Sequence, residues 1–182
     1  PVILDFKAGD IGNTAEKYAE MAYDVLEADA VTVNAYMGFD AVQPFFRGRE
    51  KCVFLLCLTS NPGSNDFQRL ETKEGPLFEV VAATAIKWSA EGSCGLVVGA
   101  THPDDLPRVR SIAPDLPFLI PGVGSQGGDA RTVATQATTS DGAGVLINAS
   151  RSILYASSGS DFANAARCAT EQLRLAIEEP LE

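Results

Sequence analysis

Apolar residues along this chain occur in two alternating patterns, short runs that suit buried strands and longer stretches in which they recur at helical spacing. The strand-like runs lie at 2–4, 30–36, 52–58, 95–99, 117–120 and 144–148. The helical stretches lie at 13–26, 39–46, 77–90, 103–112, 129–140 and 161–178. On the third helix, one face carries a stripe that predicts core packing: Phe78, Val81, Ala82, Ala85 and Trp88. The segment 64–75 is polar and aperiodic, which predicts a mobile loop.

Strands that alternate with helices predict right-handed crossovers and a parallel sheet, either doubly wound or closed into a (β/α) barrel. No Gly-x-Gly-x-x-Gly motif follows the first strand, which weakens the case for a dinucleotide-binding fold. The polar and glycine-rich segments follow strands, where a barrel keeps its active site, so the barrel is favoured. An eight-stranded barrel needs ~250 residues, whereas this chain has 182 residues and about six predicted strands.

Composition narrows the possible functions. The chain is 46% hydrophobic and 21% charged, enough for one sizeable core. Its formal net charge of −10 argues against nucleic-acid or anionic-membrane binding, but backbone N–H groups and one Arg could still hold a phosphate. The four cysteines lack metal or disulfide spacing, which predicts reduced core thiols in a cytoplasmic protein. His102 is the only His, so a metal site has little support and a surface or capping role is expected for it.

A charged row follows the first apolar run. Asp5 and Lys7 lie on the same side of the strand, about 7 Å apart, and Asp10 lies on the loop beyond. The run before them predicts a strand buried on both faces, where charges usually serve chemistry. The alternative is a solvated ion pair with Asp10 capping a turn. Asn13, with Glu16 three residues later, predicts a helix cap.

Two later segments are suited to phosphate binding. The segment 121–129 is rich in glycine and precedes a predicted helix, so an anion could rest against the start of that helix. Arg151 follows the last predicted strand, and its planar guanidinium can bind two phosphate oxygens. Barrel enzymes often build a phosphate site from the loops after their last two strands.

The run D-F-K-A-G-D-I-G-N-T resembles the Asp-x-Lys-x-x-Asp signature of the orotidine 5′-monophosphate decarboxylase family, in its bacterial-type branch. Together with the segments at Ser60, Gln126 and Arg151, it identifies the chain as a member of that family. The resemblance implies a (β/α)8 TIM barrel that decarboxylates orotidine 5′-monophosphate to uridine 5′-monophosphate in pyrimidine synthesis without a cofactor. Related sugar-phosphate decarboxylases and aldolases share the shorter Asp-x-Lys-x-x-Asp core.

The resemblance also implies roles for individual residues. Lys7 would be the proton donor, with Asp5 beside the substrate carboxylate and Asp10 contributed by the other subunit of a homodimer with shared sites. The implied substrate-binding residues are Ile11, Thr14, Ser60, Pro121, Gln126, Ser150 and Arg151. Ile11 and Thr14 would reach the neighbour's pocket, Ser60 and Pro121 would face the pyrimidine, Gln126 would bridge base and phosphate, and Arg151 would bind phosphate with the Ser150 backbone.

On this basis residues 1–182 are expected to form a single barrel domain that begins near the third strand and is N-terminally incomplete. The segments that carry the family's second catalytic Lys and its ribose-binding Asp are not present in this sequence. The sequence does not decide whether an orotate phosphoribosyltransferase domain is fused to this one. Two alternatives also remain. One is a metal-dependent sugar-phosphate decarboxylase or hexulose-phosphate synthase, and the other is an inactive partial barrel that binds phosphate or a partner subunit.

Overall fold

The computed structural model describes residues 1–101, 103–123 and 129–178. Its strands, in chain order, are β1 (Ile3–Ala8), β2 (Ala30–Val33), β3 (Cys52–Leu58), β4 (Glu71–Thr72), β5 (Gly75–Pro76), β6 (Ser93–Val98), β7 (Phe118–Pro121) and β8 (Val145–Asn148). Six of them form one parallel sheet in the order β1-β2-β3-β6-β7-β8, and β4 and β5 form a separate antiparallel hairpin.

Helices connect the parallel strands. They are α1 (Gly12–Glu20), α2 (Phe39–Val42), α3 (Ser64–Phe67), α4 (Leu77–Trp88), α5 (Leu106–Ile112), α6 (Ala130–Ala137), α7 (Arg151–Leu154) and α8 (Phe162–Glu178). A π-helical turn at Met21–Val25 extends α1, and 3₁₀ turns occupy Ala35–Met37, Gln43–Phe45 and Pro103–Asp105.

The order of the strands in the sheet is the order in which they occur in the chain. A doubly wound sheet reverses its strand order at a switch point, whereas a (β/α) barrel does not. The six described parallel strands, each paired with its predecessor, therefore have barrel topology. The number of parallel strands and their alternation with helices agree with the prediction from the sequence.

The sheet separates two apolar layers. The larger layer lies between the sheet and the helices and includes Val31, Leu55 and Phe78, all almost completely buried. On the opposite face, Ala30, Phe54, Val97 and Leu119 pack together as a smaller cluster. These four come from four adjacent strands and lie on the face away from the helices, which in a barrel is the packed interior. The helical stripe predicted to be core is confirmed, with Val81 and Trp88 only partly buried at its margin.

Four local predictions were wrong. Helix α1 begins at Gly12 after Ile11, with no side-chain cap from Asn13. The segment 64–75 contains α3 and the β4–β5 hairpin. The second strand ends at Val33 and is followed by a 3₁₀ turn. Strand β1 is not buried on both faces, since Ala8 is its only buried residue and Asp5 and Lys7 are exposed.

The four cysteines are free, and Cys57 and Cys94 are buried. Burial raises the pKa of each of these two thiols to about 12. Across the described part of the chain, no helix combines the length and the apolar character that crossing a membrane requires.

Candidate active site

A cleft of about 540 Å³ opens where the parallel strands end. Its floor is apolar and includes Val97 and Leu119 from the inner cluster. Its walls are polar, because they come from strand ends and the loops that follow. The lining residues are Asp5, Lys7, Leu56, Thr59, Ser60, Asn61, Pro62, Val97, Thr101, Leu119, Pro121 and Asn148. The cleft therefore combines an apolar floor, suited to a flat ring, with one ammonium group and one carboxylate.

Asp5 and Lys7 form an ion pair in this cleft, with Lys7 Nζ donating to Asp5 Oδ1 at 2.7 Å. Their side chains are 52% and 49% exposed. Lys7 has a φ of +49°, a left-handed conformation that non-glycine residues seldom adopt. Such backbone strain often occurs at functional sites. The predicted shared side for Asp5 and Lys7 therefore exists, although an irregular backbone produces it instead of regular strand alternation.

Ser60 lines the same cleft, two residues after the end of β3. Its hydroxyl donates to the Pro121 carbonyl at 3.4 Å, and its own carbonyl accepts from Thr101 Oγ1 at 3.2 Å. These contacts join the ends of β3, β6 and β7. The structure therefore brings Ser60 and Pro121 together in the same cleft as Lys7.

The residues expected to serve a partner's site lie elsewhere. Asp10 Oδ1 accepts from the Ile11 backbone N–H at 2.8 Å, so Asp10 stabilises the turn after β1. The Ile11 side chain is 57% exposed, and Thr14 is also exposed on α1. None of the three lines the cleft of its own chain.

The structure describes only some of the candidate phosphate-binding residues. Gln126 and most of the glycine-rich segment lie outside the described residues, as does His102. Arg151 begins α7 and is exposed, and Ser150 Oγ donates to Asn148 Oδ1 at 3.2 Å. Of this last segment, Asn148 is the residue that lines the cleft.

One backbone N–H group at the start of α6 already binds a side chain of this protein. Asp129 is its N-cap, and its carboxylate accepts from the Thr132 backbone N–H at 2.7 Å. This interaction with Thr132 lowers the pKa of Asp129. An anion at this helix start would therefore compete with the chain's own carboxylate, which the sequence-based prediction did not foresee.

Hydrogen bonds and ion pairs stabilise the connection between β3 and α4 beside the cleft. Gln68 Oε1 accepts from the Thr59 backbone N–H at 2.8 Å, and Gln68 Nε2 donates to Thr59 Oγ1 at 2.9 Å. Arg69 forms an ion pair with Asp105, whose side chain is only 9% exposed. Asp105 also accepts from Arg108 at 3.3 Å. The loops after β3 and β6, which both contribute to the cleft, are therefore linked through one carboxylate.

Sequence reasoning missed several polar residues of the site. Asn148 and Thr101 line the cleft, and Thr32 lies directly behind Asp5 and Lys7. Asn148 could have been found, since it is the last residue of the last predicted strand. Thr32 gave no such signal, because a single Thr inside an apolar strand is common.

A second cavity of about 600 Å³ lies between β3, α4 and the turn after β2. Its lining includes Tyr36, Phe67, Leu77 and Val81 but no Asp, Glu, Lys, Arg or His. It therefore lacks the charges that a phosphorylated substrate requires. Within the described ranges, no group of three or more His, Cys, Asp or Glu residues could hold a metal ion.

Strand order and a charged cleft at the strand ends define this chain as a (β/α)-barrel domain with its candidate site in the usual position for that fold. A family model described as orotidine 5′-phosphate decarboxylase / HUMPS family matches residues 1–166. The chain belongs to this family.

Individual relatives agree. The chain is 55% identical over 168 residues to an orotidine 5′-phosphate decarboxylase of Ralstonia pickettii. The matched region is 92% of this chain and 62% of that protein. Among solved structures, Leishmania donovani OMP decarboxylase matches with a TM-score of 0.85 and 43% identity, over 98% of this chain and 69% of that one. Leishmania donovani UMP synthase matches with a TM-score of 0.87 and 46% identity, over 97% of this chain and 39% of that one. The predicted barrel class is confirmed, and the chain spans less than two thirds of the Ralstonia relative.

Proposed function

We propose that this chain carries the proton-donating half of an orotidine 5′-monophosphate decarboxylase site. The observation that supports the proposal most is the Lys7–Asp5 ion pair at 2.7 Å, placed in a cleft that Ser60 and Pro121 also line. An ammonium group held by a carboxylate over an apolar floor is suited to stabilise negative charge on a flat ring. The names of the relatives and their identity to this chain support the same substrate.

The proposed reaction needs charge stabilisation and one proton. The bond between the pyrimidine ring and its carboxylate breaks, carbon dioxide leaves, and the electron pair stays on the ring carbon. Lys7 Nζ stabilises that carbanion and then transfers a proton to it, so that uridine 5′-monophosphate forms. The Lys7 amine then regains a proton from solvent. No cofactor takes part in this scheme.

Asp5 is proposed to have two effects. It holds the ammonium group of Lys7 by accepting its hydrogen bond, and it crowds the substrate carboxylate. Two like charges about 4 Å apart at an effective dielectric near 20 would contribute about 4 kcal/mol at most. Because the Asp5 side chain is 52% exposed, solvent would reduce this repulsion further.

The remaining contacts follow the family pattern. Ser60 and Pro121 would hold the pyrimidine, Gln126 would connect base and phosphate, and Arg151 with the Ser150 backbone would bind the phosphate. The position of Ser60 against Pro121 supports the first pair. The exposed position of Arg151 at the start of α7 leaves its guanidinium accessible to a phosphate.

The active assembly is proposed to be a homodimer that shares its sites. Asp10, Ile11 and Thr14 do not line the cleft of their own chain and are at least partly exposed, so they are available to a neighbour. The match to a UMP synthase structure supports a possible fusion to an orotate phosphoribosyltransferase domain. A cytoplasmic location is supported by the four free cysteines.

A decarboxylation assay on orotidine 5′-monophosphate tests the proposal, using the protein as encoded and its Lys7→Ala variant. The wild type should release carbon dioxide, and Lys7→Ala should lose turnover while keeping its unfolding transition. Near-normal turnover by Lys7→Ala would reject Lys7 as the proton donor.

Two further measurements address the alternatives. Turnover that a chelator abolishes would favour a metal-dependent sugar-phosphate decarboxylase or synthase. A wild-type protein that binds a uridine monophosphate analogue weakly and turns nothing over would support an inert phosphate-binding or partner-binding barrel.

A further inference from the structure

The β1–β2 ladder contains an irregularity at the charged pair. Leu4 pairs with Val31 and Ala8 pairs with Val33. Three residues of β1, at positions 5–7, therefore face a single residue of β2, which is Thr32. Bulges of this kind bend a strand and redirect its side chains, and they are frequent beside active sites. The bulge explains how Asp5 and Lys7 come to contact each other.

Thr32 connects both members of the pair. Its Oγ1 accepts from the Lys7 backbone N–H at 3.0 Å, and its hydroxyl donates to Asp5 Oδ1 at 2.8 Å. The same Asp5 oxygen accepts from Lys7 Nζ at 2.7 Å. The Thr32 hydroxyl therefore sits between the backbone of Lys7 and the carboxylate that binds its ammonium group.

Burial makes this hydroxyl more than an incidental contact. Thr32 is 0% exposed, one of three polar or charged residues buried in the described chain. A buried hydroxyl is costly unless its donor and acceptor functions are both used, and here both are used on the candidate site. An ordinary packing role for Thr in a strand would need only its methyl group.

The backbone of Lys7 gives the second argument. Its φ of +49° is unfavourable for a residue with a Cβ, so surrounding contacts must stabilise it. The hydrogen bond from the Lys7 N–H to Thr32 Oγ1 is such a contact. Because it comes from β2, it connects the conformation of Lys7 to the rest of the sheet.

We propose that Thr32 is a positioning residue that keeps the Asp5 carboxylate and the Lys7 ammonium group in contact at the bulge. Its effect on turnover rests on the proposed decarboxylase function. Its effect on the geometry of the pair does not, and can be measured without substrate.

The test compares Thr32→Val, which keeps the shape but removes the hydroxyl, with Thr32→Ser, which keeps the hydroxyl. The first readout is the rate at which an amine-selective reagent modifies Lys7, followed by mass spectrometry in the protein as encoded. Thr32→Val should raise that rate several-fold because Asp5 no longer holds the ammonium group steadily. Thr32→Ser should stay near the wild-type rate.

The second readout is kinetic. Thr32→Val should lower kcat by roughly tenfold to a hundredfold, the cost of a small misplacement of a reacting group, with a smaller change in KM. Thr32→Ser should recover most of kcat. Val and Ser variants that behave alike, or a Val variant with wild-type values in both readouts, would overturn the inference.

The experiment stays decisive if the wild type shows no turnover and if Thr32→Val does not fold. If the wild type shows no turnover, the decarboxylase proposal fails, and the modification rates still decide whether Thr32 positions the pair. If Thr32→Val does not fold, hydrogen exchange in the wild type decides instead. The Lys7 amide should then be protected despite its half-exposed side chain, and rapid exchange would contradict the Thr32 hydrogen bond.

Discussion

Ser60 packs directly against Gly99, so closely that a Cβ atom added to Gly99 would lie 2.4 Å from Ser60 Oγ and 2.8 Å from Ser60 N. Gly99 follows β6, and its N–H donates to the Leu58 carbonyl at 2.7 Å. The absence of a side chain at Gly99 therefore allows the ends of β3 and β6 to approach and places Ser60 in the cleft.

Gly99→Ala should displace Ser60, because the clash involves its backbone as well as its hydroxyl. We expect a loss of about 1–3 kcal/mol in the free energy of unfolding, typical of overpacking, and weaker binding of a uridine monophosphate analogue. Denaturant unfolding and calorimetric titration measure the two effects. Gly63→Ala is the control, since its Cβ would first meet the end of the Asn61 side chain at 3.1 Å and no backbone atom. Equal behaviour of the two variants would contradict the argument.

Asp105→Asn should loosen the link between the loops after β3 and β6. Asp105 forms ion pairs with both Arg69 and Arg108. Only 7% of the residue surface is exposed, so its charge is largely shielded from water. A loss of about 1.5–3 kcal/mol is expected, the range for hydrogen bonds to charged groups. KM for the nucleotide should also rise.

Glu171→Gln is the matched control for Asp105→Asn, because Glu171 pairs with Arg167 on the exposed face of α8. It should change stability by less than about 0.5 kcal/mol. A similar small effect of Asp105→Asn would show that the buried carboxylate does not hold the loops.

Arg110→Lys should destabilise the sheet at the end opposite the cleft. The guanidinium donates to the carbonyl groups of Ala113, Pro114, Leu116, Ala137 and Gly144. It also lies 3.6 Å above the centre of the Phe118 ring. Lys cannot reproduce this planar set of donors, so a loss of at least about 2 kcal/mol is expected in denaturant unfolding. The same substitution at Arg174, in an exposed pair on α8, should be nearly neutral.

Alkaline conditions should destabilise the fold through Cys57. Burial raises the pKa of this thiol from its ordinary value of 9.0 to about 12. Between these values the unfolded state has lost the proton and the folded state keeps it. Stability from this group is therefore complete below pH 9 and falls as the pH rises, by at most about 1.4 kcal/mol per pH unit. Cys57→Ala should give a shallower dependence between pH 9 and 11, and an unchanged slope would contradict this prediction.

Mixing Lys7→Ala and Asp10→Ala chains tests shared sites. In a two-fold dimer with shared sites, a heterodimer would carry one intact site and one doubly altered site. About a quarter of the sites should then recover turnover after random mixing. Each variant alone should stay inactive. No recovery, with heterodimers demonstrated by native mass spectrometry, would indicate that each chain works by itself.

The sequence predicted the fold well because long apolar runs and strong helical spacing determine the elements. The stretch 77–90, for example, predicted α4 almost to its ends. The errors fell where tertiary contacts decide. Asn13 has no capping role because α1 begins at Gly12, with Ile11 in the N-cap position two residues before Asn13. The segment 64–75 forms secondary structure instead of a plain loop, and contacts such as those between Thr59 and Gln68 hold it beside β3.

The site was only partly predictable. The motif located Asp5 and Lys7, and the family resemblance pointed to Ser60 and Pro121, all of which line one cleft. Thr32 could not be found in this way, because its contact with Asp5 spans 27 residues and depends on the ladder register. The roles of Asp10, Ile11 and Thr14 stay predictions, as does the extent of the domain.

The uneven pairing of β1 and β2 restricts how the segment from Leu4 to Ala8 can vary. Replacing Phe6 by another apolar residue would leave the hydrogen-bond ladder intact, since Phe6 lies within the three residues that bridge the fixed pairs. Deleting a residue there would draw Ala8 away from Val33 or Leu4 from Val31, and would turn the ammonium group out of the cleft. Natural variants of this strand should therefore differ at Phe6 while keeping their length.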